Sequence, residues 1–252
     1  MFIFLAGLMA WYLISHDRGA KEPVSGLWIA VGFGVLAAAV AGVAESIIIP
    51  GHYLSHPSSG TPLQLLAVAM AIGVVEESFK FIPLALYLYH KSFFNEHTDG
   101  IIYFALAGLG FGLPENILYA FSFGAKSGLM RVIMTPIFHS TTTALVGYFL
   151  IRAKLGHRKP IALVSTALLA AIFLHGLYDF GLLVAGQIPL FALLSVILTG
   201  ALTICFFWLY KKATQQDQAL GISSQGANDF CRHCGTANPE HNLYCSHCGK
   251  HA

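Results

Sequence analysis

In the stretch AVAMAIGVVEESFKFIPLALYLYH, residues 67–90, Glu76, Glu77 and Lys80 interrupt a run otherwise fit to cross a lipid bilayer. An acidic side chain at the centre of a membrane helix costs about 2.5–3.5 kcal/mol on insertion scales, so two of them oppose insertion by several kcal/mol. Two readings meet that cost. In one, Lys80, at i+4 from Glu76 and i+3 from Glu77, neutralises a carboxylate and the trio joins helices. In the other the charges do chemistry, the default for ionisable groups inside a membrane.

Further polar groups follow in other apolar runs. FGLPENILYA places Glu115 directly after Pro114, whose missing N–H loosens the helical ladder. Thr135, His139, Thr142 and Thr143 form a stripe one helical face wide, which hydroxyls bonded to backbone would explain without chemistry. HGLYD sets His175 and Asp179 one turn apart, the spacing by which a carboxylate orients an imidazole or both bind one target. Glu45 stands apart from these and reads as interfacial or supporting.

Hydrolysis suits this set. A carboxylate takes a proton from water while imidazoles bind a divalent metal or donate to the oxyanion. Carboxylate and imidazole also suit zinc or another divalent ion, with Glu115, His139 and His175 as candidate ligands. The sequence contains no HExxH helix and no GxSxG elbow, so neither the common zinc-protease motif nor a serine-hydrolase motif applies.

The elements that would position these residues are long apolar runs. With 56% hydrophobic residues, 10% charged residues and a mean hydropathy of +0.67, the chain reads as an integral membrane protein. No basic cluster is dense enough to suggest nucleic acid as a partner. Seven candidate helices lie at roughly 1–15, 27–49, 63–89, 100–123, 129–152, 161–184 and 189–210. Continuous rather than alternating hydrophobicity favours helices over a barrel. Counted from the outer end of its own helix, each of Glu76, Glu115, His139 and His175 lies roughly 12–20 Å deep. Scattered structural polar residues have little reason to share a depth.

The first run lacks a basic n-region and is read as an uncleaved span. Arg18, Lys21, Lys91, Arg152, Lys154, Arg158, Lys159, Lys211 and Lys212 lie on one side, against Lys126 and Arg131 on the other. That bias puts the N-terminus outside and the C-terminus in the cytoplasm.

EESFK, FGLPE, a mid-helix His and HGLYD, in this order, resemble the PrsW intramembrane proteases, relatives of the type II CAAX prenyl endopeptidases. The resemblance covers most of residues 27–210. It implies an active site of Glu76, Glu77 and Lys80, then Phe111 and Glu115, then His175 and Asp179, with His139 as the additional histidine. It further implies cleavage of membrane-anchored proteins, anti-sigma factors among them. The prenyl endopeptidases resemble EExxxR, FxxxH and HxxxN, whereas this chain has Lys80 one residue closer, Glu115 for His and Asp179 for Asn, which argues against prenylated substrates. Glu76 is expected to be the general base, tuned by Glu77 and Lys80, with Asp179 orienting.

The C-terminal residues form a separate module. Cys231, Cys234, Cys245 and Cys248 make two CxxC knuckles separated by ten residues, a spacing that delivers four thiolates to a structural zinc. The expected architecture is therefore an all-α polytopic membrane protein of about seven transmembrane helices with a zinc ribbon. Residues 1–212 form the protease domain, 213–229 a flexible linker and 230–252 the ribbon. Its expected partners are lipid, a membrane-anchored protein substrate and a cytoplasmic protein bound by the ribbon. The rival functions are a proton- or cation-coupled transporter and a non-catalytic scaffold.

Overall fold

The computed structural model describes residues 2–17, 21–56, 58–123, 129–156 and 160–219, and Cys231, Cys234, Thr236, Cys245, His247 and Cys248. Arg18, Lys126, Arg158, Lys159, linker residues 220–229 and the other ribbon positions lie outside the described residues, as does the side chain of Arg131. The described chain is helical: α1 (Phe2–His16), α2 (Val24–Ile48), α3 (Gly51–Ser55), α4 (Pro62–Tyr89), α5 (His97–Phe123), α6 (Leu129–Lys154), α7 (Pro160–Ala185) and α8 (Ala192–Ala219). A 3₁₀ turn, Pro189–Phe191, precedes α8. All seven expected runs are helices. The short α3, which follows Pro50, and the 3₁₀ turn carry too few residues for a periodic signal.

Among the described residues, four segments are long and apolar enough to cross a membrane: Val24–Ile48, His97–Tyr119, Pro160–Ala185 and Pro189–Ala219. The helices α4 and α6, which carry Glu76, Glu77, Lys80 and His139, are not among them. Large apolar side chains such as Trp28, Leu63, Ile161 and Ile204 face outward, as a lipid-facing perimeter requires.

Residues 213–219, expected as part of a flexible linker, are helical. The helix α8 runs to Ala219, and its last turns are held by Asp217, whose carboxylate is buried at the start of α5. Asp217 Oδ1 accepts the backbone N–H of His97 at 2.8 Å and Oδ2 that of Thr98 at 3.0 Å. A helix N-terminus has unpaired N–H groups and a positive dipole end, and here a carboxylate from another helix satisfies both.

The largest apolar cluster fills the half of the bundle built from the start of α5 and the ends of α4, α6 and α8, with Tyr103, Phe104, Tyr148 and Phe206 at its centre. Glu76, Glu77, Lys80, Glu115, His139, His175 and Asp179 lie in the other half. Close helix contact there depends on glycine: a Cβ at Gly108 of α5 would sit 2.3 Å from the carbonyl oxygen of His139 on α6. Missing side chains let helix backbones approach in membranes, and this approach brings the His139 ring between α4 and α5.

Candidate active site

Four helices deliver one connected set of side chains. The Lys80 ammonium donates to Glu76 Oε2 at 3.1 Å and Glu77 Oε1 at 2.9 Å, and pairs with His139 Nδ1 at 2.8 Å. Its position is fixed further by the Phe111 ring, whose centroid is 3.9 Å away. An ammonium has three N–H donors, and all three are used. With Lys80 donating to Nδ1, His139 carries its hydrogen on Nε2 and donates it to Glu115 Oε2 at 2.5 Å.

His175 is oriented from α4. Its Nδ1 donates to Glu77 Oε1 at 2.7 Å, which leaves Nε2 on the opposite side of the ring. That nitrogen lies 3.4 Å from Glu76 Oε2 and 3.4 Å from Asp179 Oδ2. Phe138 meets the ring in a T-shaped contact, centroids 5.4 Å apart, and itself stacks on Tyr178 with centroids 3.9 Å apart. The partner that orients His175 is therefore Glu77, while Asp179 sits beside Glu76 on the Nε2 side. Glu76, Glu77, Lys80, His139 and His175 are all buried.

The donor set fits a divalent cation. Four carboxylates, Glu76, Glu77, Glu115 and Asp179, surround one ammonium, so carboxylates outnumber the fixed positive charge four to one. Buried charge of one sign is costly without a counter-ion. Ligand atoms of Glu76, His139 and His175 lie within 4.8 Å of one another. Around a small cation bound at ~2.1 Å, neighbouring ligands stand roughly 3.4 Å apart, the spacing seen between His175 Nε2 and Glu76 Oε2. The carboxylate grouped with the two histidines is thus Glu76, where sequence reasoning named Glu115; Glu115 binds the far nitrogen of His139 instead. Glu77 behind His175 is the kind of carboxylate that holds a metal-binding imidazole in register.

Two cavities reach this set. A cleft of about 360 Å³ runs between α2 and α5 from Ala38 and Leu118 to Glu76 and Glu115. A smaller chamber of about 90 Å³ continues to Asp179 on α7. Glu76 lines both, whereas Glu77 lines neither. Glu45 also lines both, a placement that sequence reasoning did not extract because its helix has no other ionisable residue to mark the face. Two hydroxyls of the α6 stripe are occupied elsewhere, Thr142 donating to the Phe138 carbonyl at 2.9 Å and Thr135 bonding Tyr178 at 3.3 Å, whereas Thr143 Oγ1 is buried with no hydrogen-bond partner.

In the C-terminal module, Sγ atoms of Cys231 and Cys248 lie 3.6 Å apart and those of Cys234 and Cys245 3.5 Å apart. All four are free thiols at the separation expected of thiolates sharing a tetrahedral ion with metal–sulfur bonds of ~2.3 Å. Desolvation opposes ionisation of Cys234, but hydrogen bonds from Thr236, Cys245 and Cys248 lower its thiol to about 6, towards the thiolate that metal binding needs.

Known proteins can now be set beside this geometry. The family described as "PrsW family intramembrane metalloprotease" matches residues 22–210, which include every membrane site residue and exclude the four ribbon cysteines. Relatives called "Protease PrsW" are 33% identical over 112 residues in Bacillus subtilis (strain 168), covering 44% of this chain and 51% of the relative. In Geobacillus kaustophilus (strain HTA426) the identity is 27% over 175 residues, covering 68% of this chain and 73% of the relative. The relative from Halalkalibacterium halodurans is 35% identical over 136 residues, covering 53% of this chain and 62% of the relative. The matched region thus spans about half the length of the Bacillus subtilis protein. No solved structure matches. With three quarters of its length matched by one family, and with that family's expected acidic and histidine residues meeting at a buried site, the chain belongs to the PrsW family of intramembrane metalloproteases.

Proposed function

We propose that the protein hydrolyses a peptide bond of a membrane-anchored protein, with Glu76 as the residue that accepts the proton of the attacking water. The observation that carries this reading is the meeting of a cleft and a polar chamber at Glu76, beside Nε2 of His175. Glu76 keeps one carboxylate oxygen beside Lys80 and His175 and has a second with which to take a proton. The proton taken from water passes to the leaving amine nitrogen as the C–N bond breaks, and the water oxygen remains on the new carboxylate. Lys80 and Glu77 are positioning residues: the three donors of Lys80 are all used, Glu77 Oε1 bonds both Lys80 and His175, and each holds Glu76 or His175 in place.

Glu76 and His175, with Asp179 adjacent, are the residues that would hold zinc or another divalent ion, and His139 would join them once its Nδ1 exchanges the Lys80 hydrogen bond for the ion. Such an ion supplies Lewis-acid activation, lowering the pKa of water from 15.7 towards ~7. The family resemblance makes an anti-sigma factor the leading substrate. The excess of Lys and Arg on alternate loops supports an external N-terminus and a cytoplasmic zinc ribbon that recruits a protein partner. A reporter fused after Ala252 should then be active only in the cytoplasm; activity outside reverses the orientation.

Purified protein in liposomes tests the reading with a panel of single-span reporters. The wild type should cleave at least one and Glu76→Gln none, with no ion flux from either. Flux without cleavage by the wild type would instead make the same charges a transport path.

A further inference from the structure

The cleft between α2 and α5 has a shape that the catalytic cluster itself does not need. Along its first half α2 is pressed against α5: a Cβ at Gly34 would stand 2.0 Å from the carbonyl oxygen of Ala107. Eight residues further on, a Cβ at Gly42 would meet nothing within 4 Å. The two helices part between these positions, and Ala38, Ala41 and Gly42 leave the gap unfilled. The opening faces the apolar perimeter, because the lining residues Ile117 and Leu118 are 48% and 63% exposed. Its inner end is Glu76.

One polar group faces this apolar space from α2. The Oε1 atom of Glu45 is buried and has no hydrogen-bond partner, although an acceptor removed from water is costly to leave unpaired. A polypeptide supplies what it lacks. An extended chain in an apolar cleft carries backbone N–H groups that must themselves be satisfied, whereas an intact helix has already paired them.

Resting on the proteolytic reading above, we propose that the α2–α5 cleft receives an unwound, extended segment of the substrate polypeptide from the lipid side. Glu45 is a positioning residue that accepts a backbone N–H of that segment and sets the scissile carbonyl beside Glu76. Specificity follows from this arrangement: the substrate must be an apolar segment that unwinds readily, with small or slender side chains where Ala38 and Gly42 line the path.

The test uses the full chain in liposomes and a single-span reporter that the wild type cleaves. Gly42→Leu, which fills open space, should retain the wild-type melting temperature and lose at least tenfold in cleavage. Glu45→Leu should raise KM about tenfold with little change in kcat, the mark of a contact made equally in ground and transition states, and Glu45→Gln should restore KM because its amide oxygen still accepts. A photo-crosslinker replacing exposed Leu118 should join the reporter. Gly42→Leu cleaving as fast as the wild type, a loss confined to kcat in Glu45→Leu that Gln does not restore, or crosslinks to lipid alone would each overturn the proposal. If the wild type cleaves no reporter, the proteolytic reading has failed first, a result visible before any variant is compared.

Discussion

Lys80 shows how one residue ties the site together, since its three donors reach Glu76, Glu77 and the His139 ring. Helical spacing made the first two contacts legible, but the third joins residues 59 positions apart and needs the α5–α6 approach at Gly108. The sequence likewise paired His175 with Asp179, its neighbour on the same helix, and missed Glu77, which reaches the other ring nitrogen from α4. Local spacing names who is near along one helix, and partners across helices depend on packing. A prediction belongs at this scale. In a Cys231→Ser, Cys234→Ser variant the ribbon metal should be lost, and elemental analysis should find about one divalent ion per chain remaining. Adding His175→Ala should remove it, while Glu77→Gln, which loosens His175, should weaken binding about 10–100-fold. Full cleavage in chelator by a metal-free protein would show that Glu76 activates water without a Lewis acid.

At the scale of elements, the long helices were readable because continuous apolar runs broken by Pro, Gly and charge leave few alternatives in a bilayer. The end of α8 was not. ATQQDQA is polar and reads as linker, and only the N–H groups and side chains of His97 and Thr98, about 120 residues earlier, explain why Asp217 is buried there. The loop before α2 holds a comparable tie, in which Glu22 accepts a hydrogen bond from Tyr103 of α5. Burial raises the Glu22 carboxyl from 4.5 to about 8; hydrogen bonds with Asp99 and Tyr103 oppose the rise, and the charges of Asp17 and Glu96 add to it. Between those values the folded protein keeps a proton that the unfolded chain has lost. Stability conferred by this group is thus complete below about 4.5, falls as pH rises through the window and levels off above about 8. The melting temperature should accordingly drop between about pH 5 and 8, and Glu22→Gln should flatten the drop by several degrees, at ~2–4 °C per kcal/mol for a chain of this size. An equal slope in the variant would mean that Glu22 titrates normally.

The whole molecule combines a helical region matched by the PrsW family with a four-cysteine module beyond that matched region. Both were visible in the sequence, one through a shared depth of polar residues and the other through knuckle spacing. What sequence did not reveal was the pair of cavities, because empty space arises from the parting of α2 and α5 and leaves no motif. If the ribbon recruits a partner, deleting residues 220–252 should leave hydrolysis of a small peptide intact while changing which protein substrate is cut. Complete loss of peptide hydrolysis in a folded truncation would place the ribbon in the catalytic unit. The central claim is that Glu76 drives peptide-bond hydrolysis within the membrane, and it is tested most directly by comparing membrane-protein fragments from cells making the wild type or Glu76→Gln at equal levels. Mass spectrometry should find new termini within or beside a transmembrane segment only with the wild type. Identical fragments in both would contradict the account.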